Sequence, residues 1–140
     1  MPPDTAEVVG RKLDMLHRFL TDMEYYAALD VSVQRQEHYA IERLLQLLCE
    51  SAADIGLQLL RRDGDRLASA YREVFIALRD RHGLDAGLAD QLVDACAMRN
   101  VLTHLYDTID LDRVIGAVPD ALEVYSAFAS WAGERVRSSP

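Results

Sequence analysis

The sequence predicts an all-α protein, an antiparallel four-helix-type bundle with one or two extra short helices. Three observations carry that expectation. Apolar residues recur at steps of three and four almost from end to end, the spacing of helices that bury one face. Leucine, alanine and arginine, all good helix formers, are among the commonest residues, while aromatic residues are sparse, which favours helix over strand. Seven glycines and four prolines, two of the latter within the first three residues, are too few for a loop-rich fold. No segment keeps the two-residue alternation of a half-buried strand.

The elements follow in order. Val9, Leu13, Leu16, Leu20, Met23 and Ala27 form the stripe of a first helix that starts near Thr5 and Glu7 and stops before Asp30. Ser32 reads as the N-cap of a second helix of about thirty residues, with the stripe Ile41, Leu44, Leu45, Leu48, Ala52, Ile55 and Leu59 and an end at Arg61–Arg62. Asp63-Gly64-Asp65-Arg66 is a turn signal. A shorter third helix carries Leu67, Tyr71, Val74, Phe75 and Leu78. Gly83 stands as its C-cap behind the basic last turn of Arg79, Arg81 and His82. Asp85 caps a fourth helix through Leu88, Leu92, Val93 and Cys96. Asp110 or Asp112 opens the last one, with Val118, Leu122, Tyr125, Ala129, Ala132 and Val136 at heptad-like steps. Pro119 is expected near a helix start or a kink rather than in mid-helix.

At 140 residues, half of them apolar, the chain is expected to form one domain over 1–140. Its net charge of −8 repels nucleic acid and anionic membranes at long range, so any contact with RNA needs a local basic patch. Cys49 and Cys96 each fall inside an apolar helical pattern and read as buried thiols of a reducing compartment. No run of apolar residues is long enough to span a bilayer, and the first ten residues lack a signal pattern. The expected location is the cytoplasm. His17, His38 and His82 have no metal-ligand spacing, so no metal is expected and the three read as surface or capping residues.

One stretch departs from ordinary helix chemistry. Met98-Arg99-Asn100-Val101-Leu102-Thr103-His104-Leu105-Tyr106 gathers an arginine, an asparagine, a threonine, a histidine and a tyrosine. With Arg99 at zero and about 100° per residue, Tyr106 lies near 340°, Thr103 near 40°, Asn100 near 100° and His104 near 140°. Met98, Val101, Leu102 and Leu105 fall between about 200° and 300°. A solvent face is the plain alternative, but Asn, Thr, His and Tyr are mediocre helix formers that such a face does not favour. Imidazole moves protons near neutral pH, and guanidinium holds phosphate and stabilises charge developing on it.

This stretch resembles the R-x4-H-x-Y motif of the HEPN superfamily, and in particular its HepT-like branch. The resemblance extends to YREVFIALRDRHGLD and LDRV on either side and to ERLLQLLCESAADIG in the second helix, covering about residues 8–135. It implies a HEPN-like bundle acting as a metal-independent endoribonuclease, the toxin of a toxin–antitoxin pair. It also implies a homodimer whose motif helices face each other across a shared cleft. Arg99 and His104 would be catalytic: Arg99 on the scissile phosphate, His104 as general acid/base for attack by the RNA 2′-hydroxyl. Asn100 and Thr103 would support them. The implied partner is an MNT-type nucleotidyltransferase antitoxin that transfers AMP from ATP to Tyr106. No cofactor is expected, ATP serving only as AMP donor.

Glu50 and Asp54, four apart on the second helix, could orient Arg99 or His104, although a solvated pair that merely favours helix explains them as well. Arg61, Arg62 and Arg66 could widen an RNA-binding rim or simply complement a helix end. Tyr25 and Tyr26 could stack bases or pack, and Trp131 and Tyr125 read as core or dimer packing. The alternative to an enzyme is a non-catalytic helical subunit that binds a nucleotide or docks a nucleotidyltransferase.

Overall fold

A computed structural model of the protein describes residues 5–62, 70–104 and 110–137, with side chains described except at 99–104. The first apolar stripe becomes helix α1, Thr5–Ala27, which buries Val9, Leu13, Leu16, Leu20 and Met23. The chain then turns through Asp30 into a short α2, Val31–Gln36, and a long α3, His38–Arg62. One helix was expected from Ser32 to Arg62; the structure breaks it at Glu37. The cause is Gln34, a buried polar residue whose Nε2 reaches the carbonyls of Tyr26 at 2.9 Å, Leu29 at 3.1 Å and Ala27 at 3.3 Å. At the end of α1, where carbonyls run out of intrahelical donors, the side-chain amide adds one, beside the Leu29 N–H that also returns to the Tyr26 carbonyl at 3.1 Å. Ser32 is not the cap: Asp30 takes that position, and Ser32 Oγ donates to Asp30 Oδ2 at 2.7 Å.

Helix α4, Tyr71–His82, ends as the sequence predicts. Gly83 adopts φ 77°, a left-handed conformation that glycine reaches without steric cost, and Leu84 N–H returns to the Leu78 carbonyl at 3.2 Å. The turn expected at 63–66 lies outside the described residues, as do Arg66 and Leu67. Helix α4 lies close on α3 because position 56 is glycine: a Cβ there would stand 2.5 Å from Val74 Cγ1. Helix α5, Ala86–His104, opens at Asp85, whose Oδ2 accepts from Leu88 N–H at 3.0 Å.

Helix α6, Leu111–Arg137, is capped by Asp110, whose Oδ1 accepts from Arg113 N–H at 3.2 Å. Asp112 is thereby free to pair with Arg35 at the end of α2. Pro119 corrects the sequence reading, because it sits inside α6. It lies on the exposed side, where water can take the carbonyl that its missing N–H leaves.

The Arg35–Asp112 pair and the cap from Gln34 bring the end of α1 and the starts of α3 and α6 to one end of the bundle. Leu45 of α3 and Met98 of α5 line one cleft with Arg113, so α5 also finishes there. Helices α1 and α5 thus run towards the end from which α3 and α6 depart, an antiparallel four-helix bundle with α2 and α4 as the short additions. Its core includes Leu16, Met23, Ile41, Leu48, Phe75, Leu92 and Phe128, with Phe75 and Phe128 edge to face at 5.9 Å between centroids. Each fully buried side chain of this size contributes about 1.5–3 kcal/mol through lost water contact. Among the described residues no strand occurs, and no helix is long and apolar enough to cross a membrane.

Candidate active site

The motif falls on the last turns of α5. Arg99, Asn100, Thr103 and His104 are in helical backbone, and their side chains lie outside the description; Tyr106 lies outside the described residues altogether. The rest of α5 fixes the register on which they stand. Ala89, Leu92 and Cys96 are buried in the core, and on the wheel they occupy about 80°, 20° and 60°. That is the arc of Arg99, Thr103, Asn100 and His104. The motif positions therefore continue that line of α5 past Cys96, the last buried residue among its described side chains.

The opposite arc borders a cleft of about 350 Å³ between α5 and α6, with Gln91, Asp94, Ala95 and Met98 on one wall and Ala117, Asp120, Ala121 and Val124 on the other. Leu45 and Tyr125 close its floor, and Arg113 stands among the acidic groups Asp94, Asp120 and Glu123 of its rim. A rim with three carboxylates and one guanidinium is a poor seat for phosphate. It fits better as the flank of the site than as the site itself. Tyr125 ties the cleft to the core: its phenol meets Cys96 Sγ at 3.9 Å, and burial pushes its pKa well above 10, reinforced by the Cys96 and Cys49 thiols. Both cysteines are free and buried.

Other singled-out residues separate. Asp54 faces α1, where its Oδ2 takes Lys12 Nζ at 2.5 Å, and Glu50 lines the same α1–α3 groove. The contact seen for Asp54 is thus a bridge between α1 and α3. His17 is exposed, as expected. His82 is a correction: it is buried, and its Nδ1 lies 2.5 Å from Arg135 Nη2 of α6. Tyr125 is fully buried, and Trp131 packs half-buried between Phe128, at 5.9 Å, and the Arg135 guanidinium, at 5.7 Å. Among the described residues no three or more His, Cys, Asp and Glu side chains gather as a metal site would need.

Sequence reasoning missed two arrangements near the motif end. Glu42 is only 7% exposed and holds His38 Nδ1 at 2.5 Å, and the His38 ring stacks on Tyr39 at 4.0 Å between centroids. The available signal was His38 and Glu42 four apart, with an aromatic residue beside the stripe.

An antiparallel four-helix bundle whose third long helix closes on the Arg99, Asn100 and His104 of an R-N-x-x-x-H-x-Y sequence has the form of a HEPN-type protein. The chain belongs to the ribonuclease HepT-like family, whose profile matches residues 9–130. It is 33% identical over 122 residues to the tRNA nuclease HepT of Aphanizomenon flos-aquae, covering 87% of this chain and 80% of that one. It is 29% identical over 84 residues to the mRNA nuclease HepT of Shewanella oneidensis, 60% of this chain and 63% of the relative. The fold matches that of the tri-AMPylated Shewanella oneidensis HEPN toxin solved in complex with MNT antitoxin, with a TM-score of 0.79 at 23% identity over 88% of this chain and 94% of that one.

Proposed function

We propose that this ribonuclease is the toxin of a HEPN–MNT toxin–antitoxin pair, cutting RNA without metal or cofactor at a site built from Arg99 and His104 of two copies. The observation that carries this is the family match over residues 9–130 together with the motif, whose Arg99, Asn100 and His104 fall on the last turns of α5. His104 takes the proton from a ribose 2′-hydroxyl, whose oxygen attacks the adjacent phosphorus. The P–O5′ bond breaks, and the imidazole of the second copy returns a proton to O5′. The products are a 2′,3′-cyclic phosphate and a 5′-hydroxyl. Arg99 binds the non-bridging oxygens and stabilises the charge that grows on them. Asn100 and Thr103 support the two.

Regulation follows from Tyr106, which stands seven residues after Arg99 in the motif. An MNT-type nucleotidyltransferase antitoxin, as in the complex of the Shewanella oneidensis toxin, joins the tyrosyl oxygen to the α-phosphorus of ATP and releases pyrophosphate. Each AMP then sets a negative phosphodiester where Arg99 must receive RNA. ATP is the donor for this step only. RNA and ATP share the cytoplasm, which is where this reading places the protein.

Expressed and purified alone, the protein cleaves RNA in EDTA, and Arg99→Ala or His104→Ala abolishes both cleavage and growth inhibition. Co-expression with the partner and ATP adds AMP-sized mass increments to the wild type and none to Tyr106→Phe. Cleavage retained by the double Arg99→Ala, His104→Ala variant overturns the assignment. Partner binding with no cleavage by the wild type favours the non-catalytic docking subunit instead.

A further inference from the structure

Of the large apolar or aromatic side chains exposed among the described residues, Tyr25 and Tyr39 stand out most, at 64% and 76% exposure. Exposed tyrosines that merely failed to find a core place have nothing holding them. These two are braced. Tyr25 meets the half-buried Tyr26 edge to face at 5.2 Å between centroids. Tyr39 lies against His38, which is fixed in turn by the buried carboxylate of Glu42. Burying a carboxylate opposes folding unless it is paired, and here the pairing holds an aromatic ring at the surface.

Between Tyr25 and Tyr26 of α1 and the first turns of α3 runs an open groove of about 420 Å³, lined by Asp22, Tyr25, Tyr26, Ala40, Arg43 and Leu44, with Tyr39 one helical turn before Arg43. Its volume lies within the range of ligand clefts, roughly 300–1,000 Å³. The Arg43 guanidinium donates to Gln46 Oε1 at 3.3 Å, and among the described residues no carboxylate, Asp22 included, forms an ion pair with it. Exposed rings beside an uncompensated guanidinium are what a single strand of nucleic acid uses, rings for its bases and cation for its backbone. The groove also stands at the motif's end of the bundle. Leu45, two residues after Arg43, lines the α5–α6 cleft with Met98.

We propose that Tyr25, Tyr39 and Arg43 form a docking platform for single-stranded RNA, the two rings stacking on bases and the guanidinium holding a backbone phosphate. The proposal rests on the ribonuclease reading and gives that reading its missing approach path. A chain of net charge −8 cannot draw RNA in by its long-range field, so near contacts that tolerate salt must do it.

The test measures binding of a labelled 15-nucleotide single-stranded RNA to the full-length His104→Ala protein, which does not consume the probe. Tyr25→Ala and Tyr39→Ala each weaken binding roughly 5- to 150-fold, the range alanine substitution gives for base stacking. Tyr25→Phe and Tyr39→Phe keep the affinity, because stacking needs the ring and not the hydroxyl. Arg43→Ala lowers the slope of log affinity against log salt by about 0.7, one phosphate on a single strand, while the tyrosine variants leave it unchanged. Melting temperatures establish that each variant is folded. Alanine variants that are folded and bind RNA as the parent does overturn the platform and leave the ribonuclease standing. Variants that bind RNA normally but lose the nucleotidyltransferase assign the patch to the protein partner and equally overturn it. No RNA binding by the parent, with no cleavage by the wild type, removes the ribonuclease reading together with the platform.

Discussion

The two halves of α5 share a register and differ in chemistry. From Ala89 to Cys96 the arc towards the core is apolar and buried. From Arg99 onward the same arc carries arginine, asparagine, threonine and histidine, and the leucines move to the other side. A wheel drawn on residues 98–106 alone shows an ordinary amphipathic segment. Drawn on the whole helix it shows amphipathicity that reverses at Met98. A helix that only had to pack would keep one face apolar throughout. Under the proposed function, the first half anchors the helix and the second carries the groups that act on RNA.

That contrast is sharpest when one residue from each half is truncated. His104→Ala removes a proton-transfer group and lowers the cleavage rate by about 10²–10⁴-fold, with little change in melting temperature. Leu92→Ala, twelve residues earlier in the buried half, does the reverse. It opens a cavity beneath a fully buried side chain and lowers stability by about 2–5 kcal/mol, while the protein that remains folded cleaves normally. Denaturant titration and single-turnover cleavage on both variants read the two axes. If His104→Ala melts as early as Leu92→Ala, the motif half is part of the core and the division fails.

Asp85→Ala acts at the far end of the anchor half. It removes the Oδ2 acceptor of Leu88 N–H and lowers stability by about 1 kcal/mol. Asp85→Asn keeps an acceptor there and restores most of the loss. No effect from Asp85→Ala would mean that packing alone sets where α5 begins.

What the sequence could disclose depended on the reach of the interaction. The α1 stripe, the Gly83 cap and the Asp85 cap are local, and each was legible because its residues lie within one or two turns of each other. The break at Glu37 was not, because Gln34 works on carbonyls of the preceding helix and looks from sequence like any polar helical residue. His82 was misread for the same reason: its partner Arg135 is 53 positions away. Pro119 was misplaced because a helix held along its whole length by packing tolerates a proline that an isolated helix would not. The motif residues were legible as chemistry. Their relation to the core became visible only once burial placed Leu92 and Cys96 on the motif's own arc.

The smallest expected effect tests the boundary between the halves, where Cys96 meets the Tyr125 phenol. Burial disfavours the phenolate, so the native pKa of Tyr125 is raised well above 10, whereas in the unfolded chain it titrates near its ordinary value of about 10. A group whose native pKa is raised contributes its stability fully below the unfolded value and loses it as pH rises through the native one. The unfolding free energy should therefore be insensitive to Tyr125 up to about pH 10 and fall beyond it. Tyr125→Phe costs no more than about 1 kcal/mol at neutral pH, where it removes only a weak contact to sulfur, and it flattens the alkaline decline. Urea midpoints for wild type and variant between neutral and alkaline pH resolve the difference. An alkaline slope that survives in Tyr125→Phe would mean that the phenol is hydrated and that the buried half of α5 ends before Cys96.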